Sequence, residues 1–341
     1  MYSKILTGLL AIAFVMLIGF ADLYAQSVSF GIPVNCTIGE NCFIQNYYDH
    51  KKGPGRRDYA CGRLSYSGHD GTDFRLRNYP AMQEGTAVLA AAPGQVLRTR
   101  DGMPDININK IDPELIQNRK AGNGVVIDHG SGWVTQYSHL KQGSVQVKPG
   151  QKVDKGDKLG FIGLSGNTEF PHVEFTVRYK GKDIDPFVGR KGIHSCGNTT
   201  ASLWTESALQ DMPYQATGLL SAGFADQAPK AEKARRRLYS KPQASSPAIV
   251  FWVDLFGVQK HDEQRFVLYG PEGKKLLENE KVLEKSNVSQ FTYAGKRRPS
   301  TGWKKGKYKA KYTLRRQGKT QVQVIRKFKL RQDNANSNNP D

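Results

Sequence analysis

The apolar positions of this chain recur at every second residue more often than at helical spacing, which predicts strands. In His172-Val173-Glu174-Phe175 the alternation sends His172 and Glu174 to one face and Val173 and Phe175 to the other. Tyr308, Ala310, Tyr312 and Leu314 alternate with Lys309, Lys311 and Thr313, and Gln317-Gly318-Lys319 turns the chain into the run Val322 to Leu330. Ile249 to Phe256 is an apolar stretch of strand length, and Arg265 to Tyr269 precedes the turn Gly270-Pro271-Glu272-Gly273. The pattern predicts a mostly β protein with a first unit over 26–195, dense in Gly and Pro turns, and a small antiparallel β-sandwich over 248–332.

Within the first unit, an insert from Asp101 to Gly122 separates two core strands, and its Pro113-Glu114-Leu115-Ile116 is predicted to start a short helix. Such an insert is placed to wall a substrate groove. Between 196 and 247 alternation is lost and Ala, Ser, Pro, Gln and Lys accumulate, which predicts a linker. It carries a helical piece from Pro229 to Leu238, with Pro229 at the first helical position. Residues 333–341 are polar and predicted to be disordered.

The beginning of the chain changes the compartment. Lys4 is followed by an apolar run from Ile5 to Phe20 and by small residues at Ala21 and Ala25, the layout of a signal peptide over 1–25 that directs the protein to the periplasm or the exterior. Behind such a leader the four cysteines, Cys36, Cys42, Cys61 and Cys196, are candidates for two disulfides, with three connectivities open.

The candidate chemistry lies in three segments of the first unit. His69-Asp70-Gly71-Thr72-Asp73 reads as a short turn entering a strand, in which His69 and Asp73 are able to converge on one cation while Gly71 lets the backbone bend. Tyr137-Ser138-His139-Leu140 supplies another histidine, and His172 and Glu174 share a strand face. Converging imidazoles and carboxylates of this kind point to a metal site.

These segments, with Ala91-Ala92-Pro93-Gly94-Gln95-Val96, Gly124-Val125-Val126-Ile127-Asp128-His129-Gly130 and Gly163-Leu164-Ser165-Gly166-Asn167-Thr168, resemble the lysostaphin-type (LytM-type) zinc metallopeptidases over residues 68–187. The resemblance implies an antiparallel β-sheet catalytic domain and a zinc endopeptidase that cuts peptide cross-links in peptidoglycan. It implies His69 and Asp73 as metal ligands, and His139 and His172 as the pair that handles the attacking water and the oxyanion. The family's second strand motif is His-x-His, and this chain has Glu174 where the third ligand is expected. Glutamate ligates zinc, so Glu174 is the expected third ligand. A site of His69, Asp73 and Glu174 would be neutral with a divalent ion, where two neutral imidazoles and one carboxylate leave one positive charge. Bound water would be acidified less, and a harder metal than zinc becomes a candidate. The competing reading is a catalytically inactive family member that binds cell wall or activates another wall hydrolase.

Charge adds a partner. The formal net charge is +19, and from Lys296 to Arg331 there are fifteen Lys or Arg and no acidic residue. Such asymmetry implies an anionic partner. Export argues against nucleic acid and for peptidoglycan, with anionic envelope polymer or lipid headgroups as further candidates for the basic domain.

Overall fold

The computed structural model describes residues 28–330; the signal-peptide reading and the disordered-tail reading fall outside the described residues. The first half contains strands β1 (Cys42–Asn46), β2 (Thr72–Leu76), β3 (Ala87–Leu89), β4 (Gly94–Arg100), β5 (Asn123–Asp128), β6 (Trp133–Leu140), β7 (Lys152–Val153), β8 (Lys158–Phe161), β9 (His172–Tyr179) and β10 (Lys182–Ile184). All but β3 and β8 form one antiparallel sheet in the order β1-β2-β9-β6-β5-β4-β7, with β10 paired to β9. Its apolar face buries Phe74, Val125, Ile127, Tyr137, Val173, Phe175 and Val177. The opposite face is left to polar side chains, as the alternation of β9 requires.

The insert between β4 and β5 buries Met103 and Ile111 and is held down by carboxylates. Asp105 accepts from the backbone N–H groups of Gln142 and Leu164 at 3.0 and 2.7 Å, and Asp101 accepts from those of Gly143 and Val145 at 2.8 and 3.1 Å. Its helix is one turn, Pro113–Ile116, capped by Asp112.

The second half is a β-sandwich. β11 (Gly218–Ala225), β12 (Ala248–Val258) and β15 (Asn287–Arg297) form one sheet, and β13 (Glu263–Tyr269), β14 (Lys275–Val282), β16 (Gly306–Arg316) and β17 (Lys319–Leu330) form another in the order β14-β13-β16-β17. Ile249, Phe251, Val253 and Leu255 of β12 pack against Phe266, Tyr312, Leu314 and Phe328 of the facing sheet. Lys307, Lys309, Lys327 and Lys329 stand on the outer face and are exposed.

The linker expected over 196–247 is corrected by the structure. It contains helix Glu206–Asp211, strand β11 and helix Ala231–Arg235, and β11 is the outer strand beside β12. β11 escapes a reading by alternation because it is built of small residues, Gly218 and Gly223 among them. The rings of Phe256 and Trp252 across the ladder occupy the space their side chains would need. Nor are the two halves separated. Leu220 and Phe256 belong to the same buried cluster as the core of the large sheet, where the ring of Phe256 lies 5.6 Å from that of Phe43 of β1.

One buried charge cluster joins them. Asp254 of β12 is fully buried and accepts two hydrogen bonds at 2.8 Å from Arg235, while the guanidinium of Arg75, on β2, approaches it at 3.9 Å. Arg75 also donates to Gln45 and lies 4.1 Å over the ring of Phe170. Removing the shared anion strands two partly or fully buried guanidinium groups, so Asp254→Ala should cost about 3–5 kcal/mol, the loss typical of a broken buried pair. Denaturant titration of the full chain measures this; a loss below about 1 kcal/mol would show that the cluster does not hold the halves together.

Candidate metal and catalytic site

The register of β2 against β9 sets Asp73 opposite Glu174 and Arg75 opposite His172, and β6 brings Ser138 opposite Glu174 from the other side. Strand pairing alone therefore gathers side chains from positions about a hundred residues apart. His69 enters from the turn before β2 and is buried beneath the ring of Tyr66, 4.3 Å away. Gly71 is not in the left-handed region; it is required for space, since a Cβ there would lie 2.8 Å from the Glu174 side chain. The bend expected of Gly71 is thus a close approach.

His69 stands between two carboxylates. Its Nε2 is 3.3 Å from Asp73 Oδ1 and its Nδ1 is 3.2 Å from Glu174 Oε1. The second oxygen of Asp73 is occupied, accepting from Asn46 at 2.6 Å. Both ring nitrogens of His69 and Asp73 Oδ1 are buried without a hydrogen-bond partner. Buried polar atoms are rarely left this way, and a separation near 3.3 Å suits two donors each about 2.0–2.2 Å from a shared zinc. On that observation His69 and Asp73 fit a divalent cation.

Glu174 is half-buried among the same groups, neither turned to solvent nor held by an arginine. It meets the Nδ1 side of His69, opposite the nitrogen that faces Asp73, and its Oε2 is 3.5 Å from His139 Nε2. Asp70, which strand alternation does not single out because it lies in a turn, offers another oxygen: donor atoms of His69, Asp70 and Glu174 all lie within 4.8 Å of one another.

His139 and His172 flank this cluster with ring centroids 4.6 Å apart. His139 Nδ1 donates to Ser165 O at 2.8 Å, and His172 Nδ1 donates to Phe170 O at 2.9 Å with Thr168 Oγ1 at 3.0 Å. Both rings therefore present Nε2 to the centre, that of His172 3.6 Å from Asp73 Oδ1. His139 holds this pose at φ 65°, in the left-handed region that costs a β-carbon residue energy and marks functional positions. A cavity of about 350 Å³ opens onto Asp73, His139 and His172, and Val288 and Ser289 of β15 form part of its rim.

The electrostatics divide the histidines. Burial disfavours charge on His69, but Asp73 and Glu174 on either side outweigh it and push its pKa up to about 10. Burial likewise opposes charge on His139, and the hydrogen bond and charge of Glu174 prevail, raising it. For His172 burial dominates, and the pKa falls to about 4. The carboxyls of Asp73 and Glu174 are held below their ordinary range despite burial, by His69 with His172 and by His139 with His69 respectively.

The disulfide candidates pair as Cys36–Cys42 and Cys61–Cys196. The second ties the segment before the site to the chain beyond the last strand of the large sheet.

An antiparallel sheet that carries a buried His–carboxylate centre with two flanking imidazoles is the layout of a metallopeptidase domain. Residues 67–186 match Peptidase family M23, and the segment is a domain of that LytM-type family. The peptidoglycan DD-endopeptidase ShyA of Vibrio cholerae is 33% identical over 117 residues, covering 34% of this chain and 22% of the relative. The cell division protein DipM of Caulobacter vibrioides is 33% identical over 109 residues, 30% of this chain and 15% of the relative. The murein hydrolase activator NlpD of Escherichia coli is 27% identical over 122 residues, 36% of this chain and 26% of the relative. The matched stretches thus span no more than about a quarter of these relatives.

A cation on His69 needs a neutral imidazole, whereas without the ion the ring keeps its proton up to about pH 10. Metal binding near neutral pH should therefore release about one proton per ion, and affinity should rise about tenfold per pH unit. Titration calorimetry in buffers of different ionisation enthalpy measures the release; a pH-independent affinity between pH 6 and 8 would exclude His69 as a ligand. The same sign governs the metal-free fold. The pKa of His69 lies above its ordinary 6.5, so its ion pairs stabilise fully below that value and are lost as pH rises through about 10.

Proposed function

We propose that the protein is an exported, metal-dependent endopeptidase that cuts peptide cross-links in bacterial peptidoglycan. The observation that carries the reading is the buried pair His69 and Asp73, with unpartnered donor atoms 3.3 Å apart, flanked by two histidines whose Nδ1 atoms are anchored and whose Nε2 atoms face the pair. His69 and Asp73 would hold the ion; Glu174 meets the other nitrogen of His69, so its carboxylate would have to turn to become the further oxygen ligand. When bound, a zinc or harder divalent ion supplies a Lewis acid that polarises the scissile carbonyl and acidifies water.

The remaining chemistry belongs to the chain. His172, kept neutral by burial, accepts the proton of the attacking water at Nε2. His139, whose Nε2 proton is favoured by Glu174, donates a hydrogen bond to the developing oxyanion. Thr168 and the carbonyls of Ser165 and Phe170 fix both tautomers. Peptide is taken from peptidoglycan, on which relatives such as ShyA act by name, and the exposed lysines of β16 and β17 add attraction to an anionic envelope polymer.

A second reading rests on Glu174. Its carboxylate sits against both His69 and His139, and a relative of the same family is a murein hydrolase activator. In that reading the domain binds wall or switches on another hydrolase without cutting.

Release of fragments from purified sacculi separates the two. The endopeptidase reading expects chelator-sensitive release, lowered at least about a hundredfold by His172→Ala, the loss expected when a general base is removed. Sacculi that are bound but never cut, across pH and divalent metals, would establish the second. Glu174→His returns one positive charge to the loaded site, so it should raise metal-supported cleavage and move its pH optimum downward. An unchanged pH profile and metal content would place Glu174 outside the ligand set. Retention on sacculi should weaken as salt rises from about 0.05 to 0.5 M, because the Debye length contracts below the spacing of exposed charges; salt-independent retention would mean the basic face only solvates the sandwich.

A further inference from the structure

The polar face of the large sheet carries a row of residues in register that runs away from the site. Asp73 pairs with Glu174 and Glu174 with Ser138, while Gly124 of β5 pairs with Arg100 of β4. Gly124 and Ser138 are joined by proximity: a Cβ on Gly124 would lie 2.5 Å from Tyr137 O and 3.6 Å from the Ser138 Cα. The row is therefore Asp73, Glu174, Ser138, Gly124, Arg100, across five strands. Its middle is a floor of the smallest side chains, and Gly124 is glycine because nothing larger fits against β6.

The far end is cationic. A second cavity, about 280 Å³, opens there between the sheet and the insert, lined by Arg98, Arg100, Gln136, Ser138 and Asn118. Arg98 and Arg100 share the open face of β4, both exposed; Arg100 donates to Gly122 O at 3.2 Å, and neither guanidinium pairs with a carboxylate among the described residues. Strands lie about 4.8 Å apart, so the three steps from β9 to β4 place this end about 14 Å from Glu174, the length of about four extended residues.

We propose that Arg98 and Arg100 form an anion subsite for a free carboxylate of the substrate peptide, carried about four residues from the scissile bond. The inference rests on the endopeptidase reading for the meaning of the row, since the metal site marks where the peptide is cut. An extended peptide runs across the strands over Gln136, whose amide bonds the fully buried Ser138, and Gly124, walled by the insert that Asp101 and Asp105 tie to the loops after β6 and β8. Its carboxylate reaches a pair of guanidinium groups in the geometry such groups recognise in two-point fashion. The site thereby favours acidic stem peptides over their amidated forms.

The probes are a soluble cross-linked muropeptide dimer with its carboxylates free and the same dimer after carbodiimide amidation. Binding to the full chain is measured by calorimetry with chelator present, so that no cleavage is needed, and cleavage is followed separately with zinc. The wild type should bind the free acid about tenfold more tightly than the amide, a typical contribution of a charge-assisted contact at a partly open site. The Arg98→Gln, Arg100→Gln double variant should lose that preference by weakening for the acid alone, and Arg98→Lys, Arg100→Lys should recover part of it. Both side chains are exposed, so the variants are expected to fold, which circular dichroism checks. Equal affinity for acid and amide in the wild type, a preference that survives in the glutamine variant, or binding of neither dimer would each overturn the subsite. If the preference is present but neither dimer is cut, the endopeptidase reading fails and the subsite stands; if both are cut alike with equal affinity, the reverse holds.

Discussion

Everything at the site follows from the antiparallel pairing of β2 with β9. A strand pair brings the side chains of directly opposite residues to within about 5 Å on one face, and a slip of one residue sends each to the other face. With Asp73 opposite Glu174, such a slip of β9 would bury the Glu174 carboxylate in the core and turn Val173 and Phe175 to the polar face. The apolar core and the polar centre thus enforce the same register, and only His69 and Asp70 reach the centre from outside a strand. β6 then completes the arrangement by laying Ser138 beside Glu174 and carrying His139 to the strand end.

Around that register the problem is one of charge. Asp73, Glu174 and Asp70 crowd acidic groups about one buried imidazole, and without an ion the proton on His69 balances them with help from His139 beside Glu174 and Arg178 beside Asp70. A divalent cation and that proton compete for the same nitrogen and offset the same negative field. Glu174 makes the competition closer than it would be in a His-x-His strand, because a carboxylate strengthens the hold on the proton as well as on the metal. The two outer histidines feel this unequally: His139 bonds Glu174 and gains charge, whereas at His172 burial outweighs the pull of Asp73 and the ring sheds its charge.

Much of this was legible from sequence. The alternation of His172 to Phe175 placed His172 and Glu174 on one face, and the alternation of Tyr308 to Leu314 predicted strand β16. What escaped did so for definable reasons. Asp70 lies in a turn, where parity along a strand has no meaning. β11 carries glycine where the partner strand carries Phe256 and Trp252, so its hydrophobic signature is written on β12 instead. The burial of Asp254 and Arg75 against one another joins residues 179 positions apart and leaves no local pattern. The row of Ser138, Gly124 and Arg100 likewise exists only once five strands are in register.

The bond between Cys61 and Cys196 gives the domain a property that its noncovalent contacts do not. It encloses the insert from Asp101 to Gly122, most of whose residues are exposed or half-buried. Scission there would divide the site, leaving His69 and Asp73 on one fragment and His139, His172 and Glu174 on the other. The two fragments would nonetheless remain one covalent molecule until reduced, their strands interleaved in a single sheet, so that in an oxidising, protease-rich surrounding a severed backbone need not mean a dismantled site.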